Sequence, residues 1–271
     1  MSEQDPASLS INTTTPNVAR IYDYLLGGKD NFAADREAAR QLKDAIPDVA
    51  AIARDNRSFL GRVVRYLATE GGIRQFLDLG SGLPTQANVH ELAQGVLGFA
   101  PGVHVVYVDN DPVVASHGQA LLASGENVAM VFGDLRRPAT ILRRPDVAGL
   151  LDLSQPVAVL CTSTLHFIAA EDEPHKIVAE YRDQLASGSY LAITHAIGAE
   201  ELVAERRGAE AVYRQASSQL HVRPLADVLQ FFDGFELVEP GFTWLAEWRP
   251  EPGTAPIGRL QSMRGGVGRK S

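Results

Sequence analysis

The sequence predicts an α/β protein. It is a doubly wound, mostly parallel seven-stranded sheet with an antiparallel C-terminal hairpin strand and an N-terminal helical extension. Three observations predict it. Short apolar runs alternate with helical patterns from residue 75 to about residue 195, the signature of a parallel sheet covered on both faces. The first three runs each close on a carboxylate, Asp78, Asp109 and Asp134. Two near runs follow at 235–238 and 243–248, joined by Pro240-Gly241, which is a hairpin signal.

In chain order, residues 1–14 are rich in Ser, Thr and Asn and lack periodicity, so they read as a loose tail. Thr15-Pro16 reads as an N-cap followed by Pro at the first helical position. The short helix after it carries Val18, Ile21, Tyr22 and Leu25 on one face and stops at Gly27-Gly28. A second helix is expected over 33–45, ended by Pro47. Asp48 caps a third, whose stripe of Ile52, Phe59, Leu60, Val63, Val64 and Leu67 runs to Gly71-Gly72. Residues 1–72 therefore form a tail and helical extension. Strands are expected at 75–79, 104–109, 128–133, 156–161 and 190–195, with helices starting near Pro84, Asp111, Pro138 and Glu171. The run at 156–161 is apolar throughout, as in a central strand buried on both faces. A helical insertion spans about 198–232 before the hairpin. Residues 73–250 make one sheet domain, compact with the extension, and 251–271 read as a mobile Gly/Pro/Arg-rich tail.

The chemistry concentrates where the first strand ends. Gly80-Ser81-Gly82 removes side chains that would keep a ligand from the backbone and permits positive φ. Pro84 and Thr85 suit a helix start whose free N–H groups would point into the same space. Asp109 at the tip of the second strand can accept from both hydroxyls of a ribose. Acids are usually kept off buried strands, so three in succession point to a ligand more than to packing.

These stretches resemble a known family. Leu77-Asp78-Leu79-Gly80-Ser81-Gly82-Leu83-Pro84-Thr85, Val106-Tyr107-Val108-Asp109-Asn110-Asp111-Pro112 and Gly133-Asp134 look like successive motifs of the S-adenosylmethionine (SAM)-dependent methyltransferases. The block from Pro16 to Phe32, with Tyr22-Asp23-Tyr24-Leu25-Leu26-Gly27-Gly28-Lys29-Asp30-Asn31, narrows the resemblance to an actinobacterial methyltransferase family of unknown substrate. The resemblance implies a Rossmann-like fold, SAM as cofactor and methyl transfer, and covers roughly residues 15–250. Asp109, Asp134 and Asp78 would then serve the ribose diol, the adenine amine and, through water, the ammonium. Asn110, Leu135, Cys161 and Thr162 leave their strands at the same edge. Tyr22, Gly27, Gly28 and Asn31 are expected in a lid that closes on the cofactor and excludes water.

Open α/β sheets bind ligands at the carboxyl ends of their strands. His166 and His195 fall at that edge and are the candidate bases for an acceptor proton. They are expected to matter less than the SAM-binding acids, because displacement at a sulfonium depends mainly on alignment. The acceptor is expected to be a small molecule. A net charge of −8 disfavours a nucleic-acid backbone, no apolar stretch reaches 18 residues, and no signal peptide is visible. The single cysteine fits a reducing, cytoplasmic compartment. No metal is expected: the histidines lack a His-x-x-x-His pair. After Asp109-Asn110-Asp111, Val114 and Ala120 occupy the glycine and glutamate positions of a calcium loop. Two alternatives remain, an NAD(P)-dependent oxidoreductase and a non-catalytic SAM-binding module. The first wants a third glycine where Thr85 stands.

Overall fold

In the computed structural model, which describes residues 11–84, 87–98, 102–122, 126–198, 202–251, 253 and 262–271, five parallel strands set the frame. They are β1 (Gln75–Leu79), β2 (His104–Asp109), β3 (Val128–Phe132), β4 (Ala158–Thr162) and β5 (Tyr190–Ala196). The order is β3-β2-β1-β4-β5-β8-β6, with β8 (Met263–Lys270) antiparallel to β5 and to β6 (Phe235–Leu237). The chain reverses its direction of travel between β1 and β4, which is where such sheets bind ligands.

Side chains alternate between two cores. Leu77, Val106, Val108, Val159, Cys161 and Ile193 face one side, where α6 (Pro138–Leu142), α7 (Pro145–Ala148), α8 (Pro174–Gln184) and α10 (Leu225–Leu229) pack. Phe76, Val105, Tyr107, Leu160 and Ala192 face the other, covered by α3 (Val49–Thr69) and α4 (Val89–Leu97). The pleat sends successive residues to opposite faces, so strands this apolar need helices on both. A third cluster joins α1 (Val18–Leu25), α2 (Ala33–Ala45) and α9 (Val203–Tyr213) through Ile21, Leu25, Leu42 and Val212. It sits at the edge where the strands end, and α5 (Pro112–Leu122) follows β2.

Four expectations are corrected. The first helix is capped by Asn17, whose Oδ1 accepts from the amides of Ala19 (2.8 Å) and Arg20 (3.3 Å), and not by Thr15 with Pro16 inside. No helix starts at Pro84. The helix begins five residues later, where Asn88 and Glu91 cap each other's backbone and the Glu91 carboxylate accepts from Asn88 N at 2.8 Å. The runs near 235 and 243 do not form a hairpin: β6 and the two-residue β7 (Thr243–Trp244) each pair with β8. Finally, the stretch read as part of a mobile tail is the strand between β5 and β6.

That last strand is glycine-rich for steric reasons. A Cβ at Gly265 would lie 2.7 Å from the Phe59 ring and 3.0 Å from Leu245, and one at Gly268 would lie 2.8 Å from Phe235. Overpacking of this kind costs about 1–3 kcal/mol. Gly265→Ala is therefore expected to lower unfolding free energy by about that amount in urea titration. An unchanged midpoint would show that Phe59 yields freely.

Candidate active site

A cavity of about 310 Å³ opens at the carboxyl ends of the parallel strands. Its floor on the β1–β3 side is Gly80, Ser81, Gly82, Asp109, Asn110 and the segment 133–136. On the β4–β5–β8 side it is Thr162, Ser163, Thr164, His166, Phe167 and Met263. Helices wall it: Asn17, Tyr22 and Leu25 from the first helical segment, Ile52, Asn56 and Arg57 from α3, and Tyr213 from α9.

The glycine loop is shaped by close approach. Gly80 has φ 70°, and a Cβ there would lie 2.5 Å from Thr164 Cγ2. Thr164 Oγ1 donates to the Leu79 carbonyl at 3.0 Å, so the loops after β1 and β4 are pinned together. Gly82 has φ 69°, and a Cβ on it would meet no atom of the described residues within 4 Å. Its backbone is thus open to a ligand.

Asp109 is buried at the tip of β2. Its Oδ2 accepts from Gly82 N and its Oδ1 from Asp111 N, both at 2.9 Å. Burial pushes its carboxyl up to about 6, against these amides. A carboxylate offers about four lone-pair sites, so two backbone bonds leave capacity for hydroxyl donors. Asp78 does not reach the main cavity. It lines an adjoining one of about 10 Å³ with Pro84, and Arg57, Ser81 and Gly82 border both. Burial pushes its carboxyl up to about 7, opposed by Arg57 and assisted by Asp109. Asp134 lines the cavity beside Leu135, but both its oxygens accept from Arg136, which also reaches Asp172 at 3.1 Å. Burial would raise the Asp134 carboxyl, and the Arg136 guanidinium and N–H hold it below the ordinary value.

The β4–β5 side is tied to the helices by one chain of hydrogen bonds. Ser163, at φ 56°, donates its amide to Thr194 Oγ1 (2.7 Å), and that hydroxyl donates to Asn56 Oδ1 (2.7 Å). Asn56 Nδ2 donates to the Tyr22 hydroxyl, which donates to the Ala53 carbonyl, both at 2.9 Å.

His166 lines the cavity, is buried, and has its Nδ1 without a partner. Burial, then His195 and Arg223, hold it well below the ordinary histidine range, so it is neutral. His195 is a correction to the sequence reading. Its ring lies 5.4 Å from that of His166, away from the cavity lining. Nε2 takes a bond from Arg223 (3.1 Å), which leaves Nδ1 as the donor to the Ala196 carbonyl (2.7 Å). Both nitrogens are committed, so it orients and does not receive.

Of the first-helix candidates, the structure brings Tyr22 to the cavity and leaves the others in a turn. Asn31 Nδ2 donates to Asp23 Oδ2 at 2.8 Å and to the Gly28 carbonyl at 3.1 Å. A Cβ on Gly28 would collide with the Asp23 carboxylate, and Gly27 has φ 86°. These residues build the turn between α1 and α2. Cys161 points into the core instead, where burial pushes its thiol up. Thr162, its neighbour, takes the cavity face. Thr85 lies outside the described residues. The sequence reading did not find Asn56 or Arg57. The signal was there: Asn56 stands four residues after Ile52 on the buried stripe of α3, where an amide must have a partner.

A glycine loop, a strand-tip acid and a cavity at the switch point define a sheet-edge site of the kind that holds a nucleoside cofactor. The chain belongs to the S-adenosyl methyltransferase family, whose model matches residues 4–271. It is a SAM-dependent methyltransferase, and the hydride-transfer alternative has no support. A candidate methyltransferase from Thermobifida fusca is 43% identical over 96% of both chains, with a TM-score of 0.89. A protein of the DUF574 family from Streptomyces avermitilis is 40% identical, covering 97% of this chain and 100% of its own, also at 0.89. An O-methyltransferase family protein from Burkholderia thailandensis, 14% identical over 86% of this chain and 62% of its own at a TM-score of 0.50, shares the fold alone. Comparison with curated proteins found no match. No described helix is long and apolar enough to cross a membrane.

The raised carboxyls make a pH prediction. A buried acid whose folded pKa exceeds its unfolded value near 3.8 costs stability once ionised. The ligand-free protein should therefore lose on the order of a few kcal/mol from this pair as pH rises from about 4 through 7. Asp78→Asn removes its share, so chemical denaturation at pH 5 to 8 should show a flatter profile. An unaltered slope would mean that Asp78 ionises without penalty.

Proposed function

We propose that the protein transfers the methyl group of SAM to a small-molecule acceptor held in the same cavity, over β4, β5 and β8. One observation carries this reading: a single cavity of about 310 Å³ joins Gly82 and Asp109 to His166 and Tyr213. That volume is at the lower end of small-ligand pockets.

The residues present fit the cofactor. Gly82 leaves open space at the loop, Asp109 has lone pairs to spare for a ribose diol, and Leu135 offers an apolar surface to a base. Asn110, beside Asp109, lines the same wall. Arg57, which borders the cavity, suits a carboxylate. The Asp134 carboxylate, held by Arg136, serves to fix the loop after β3 more than to bind an amine.

Bound SAM supplies a methyl group on a positively charged sulfur. The chain's own residues supply alignment and a water-poor wall, chiefly Tyr22, Leu25 and Ile52. Neutral His166 is placed to take the proton that an acceptor hydroxyl or amine loses, with His195 and Arg223 behind it as support. A cytoplasmic setting belongs to the same reading, supported by the buried free thiol of Cys161.

Asp109→Ala tests the cofactor assignment. Losing hydrogen bonds to a charged acceptor costs about 1.5–3 kcal/mol, so calorimetry should show SAM binding roughly ten- to hundredfold weaker. The variant also frees the Gly82 and Asp111 amides, so its melting is recorded alongside. A folded variant with native affinity would overturn the ribose role.

A further inference from the structure

Resting on that reading, we infer that the methyl acceptor is an uncharged molecule with a flat aromatic body and a hydroxyl group, and that the hydroxyl donates its hydrogen bond to the His166 imidazole. The charges in the cavity are divided unevenly. Among the described lining residues, Arg57, Asp109, Asp134 and Arg136 carry charge. Three of them stand on the loops after β2 and β3, and Arg57 borders the glycine loop. The described lining residues of the β4–β5–β8 half carry none. A carboxylate, phosphate or ammonium bound there would lose its water without a charged partner in the described lining.

The walls of that half are aromatic and aliphatic. Phe167 and Tyr213 pair edge to face at 5.1 Å, with Tyr22, Ile168 and Met263 around them. Rings in such a setting favour another ring through stacked or edge contacts. The neutral polar groups mostly satisfy each other. The Tyr22 hydroxyl and both ends of the Asn56 amide are engaged in the chain from Thr194, and Thr164 Oγ1 bonds Leu79 and Thr162. His166 differs. Its imidazole has no hydrogen bond among the described residues, although its backbone carbonyl accepts from His221 N at 2.7 Å. Nδ1 is enclosed by protein, so Nε2 is the ring nitrogen left to meet a ligand, and a hydroxyl is an uncharged donor of the right kind for it. The supporting ring of His195, fixed from both sides, keeps His166 from turning away.

The test measures binding without turnover. Calorimetry on the full chain saturated with S-adenosylhomocysteine compares 2-naphthol, its methyl ether 2-methoxynaphthalene, and 2-naphthoate at pH 7.5. The naphthol should bind about tenfold or more tighter than the carboxylate and about fivefold tighter than the ether, the latter being one hydrogen bond. His166→Ala and His166→Phe should erase the preference for naphthol over ether, while His166→Gln, which keeps an acceptor, restores part of it. These are ratios within one protein, so a partial loss of stability does not imitate them. Naphthoate binding as tightly as naphthol, no detectable binding of 2-naphthol, or a preference that survives His166→Ala would each overturn the inference. SAM affinity is measured separately. Its absence would sink the methyltransferase reading itself, whereas normal SAM binding without discrimination among the three probes sinks this inference alone.

Discussion

The site depends on the relay from Ser163 through Thr194, Asn56 and Tyr22 to Ala53. Each member is satisfied by the next, and between them they span β4, β5, α3 and α1. Ser163 stands at φ 56°, a conformation a non-glycine residue rarely takes without outside constraint. Its amide is held by Thr194, a fully buried hydroxyl, and that hydroxyl is held by the amide of α3. Breaking the relay at Asn56 would take one partner from the Thr194 hydroxyl and one from the Tyr22 hydroxyl, each lost bond costing about 0.5–1.5 kcal/mol. The network therefore fixes how the helical block sits on the sheet edge, and hence the shape of the cavity.

The same block is anchored a second time at the first helix. Arg20 is buried between Asp35, with Nε 3.1 Å from Oδ2, and Asp111 at 3.7 Å, while its Nη2 donates to the carbonyls of Asn12 and Thr15. Asp35 in turn accepts from the amides of Asn17 and Phe32 at 2.8 Å. One ion group thus joins the cap of α1, the start of α2 and the loop after β2 that carries Asp109. The lid expected from the sequence is in this sense an integral wall: Tyr22 and Asn17 face the cavity because Arg20, on the far side of the same helix, is locked in place.

How much of this was legible follows from which interactions are local. The strands near 75–79, 104–109 and 128–133 and the acids at their ends stood out because their periodicity and their end groups lie within a few residues. So did the third helix. The last strand did not. Gly265, Gly266 and Gly268 have no intrinsic β preference, and their reason is Phe59, Phe242, Phe232 and Phe235, far away in sequence. The false hairpin has the same origin, since β6 and β7 were paired with each other for want of the strand beside which both lie. The helix placed at Pro84 was a propensity reading overruled by a better cap, the reciprocal Asn88–Glu91 pair, which is a local pattern and could have been seen.

The site shows the same division. Gly80, Gly82 and Asp109 were legible because a backbone-hugging ligand requires them next to each other in one loop and one strand tip. Gly27, Gly28 and Asn31 were conspicuous in the sequence for a different reason: Asp23 gathers the Asn31 amide and the Asp30 N–H into a tight turn that leaves no room for a side chain at Gly28. Asn56, Arg57 and Tyr213 come from segments with no motif of their own, and only the packing of α1, α3 and α9 brings them over the strand ends. The charge pattern then follows from the order of strands. The tip of β2 and the loop after β3 carry Asp109, Asp134 and Arg136, while the described segment after β4 lines the cavity with hydroxyls, His166 and Phe167. The topological switch between β1 and β4 is therefore also an electrostatic boundary. One half of the cavity is lined by charged groups, and the described lining of the other is apolar or neutral.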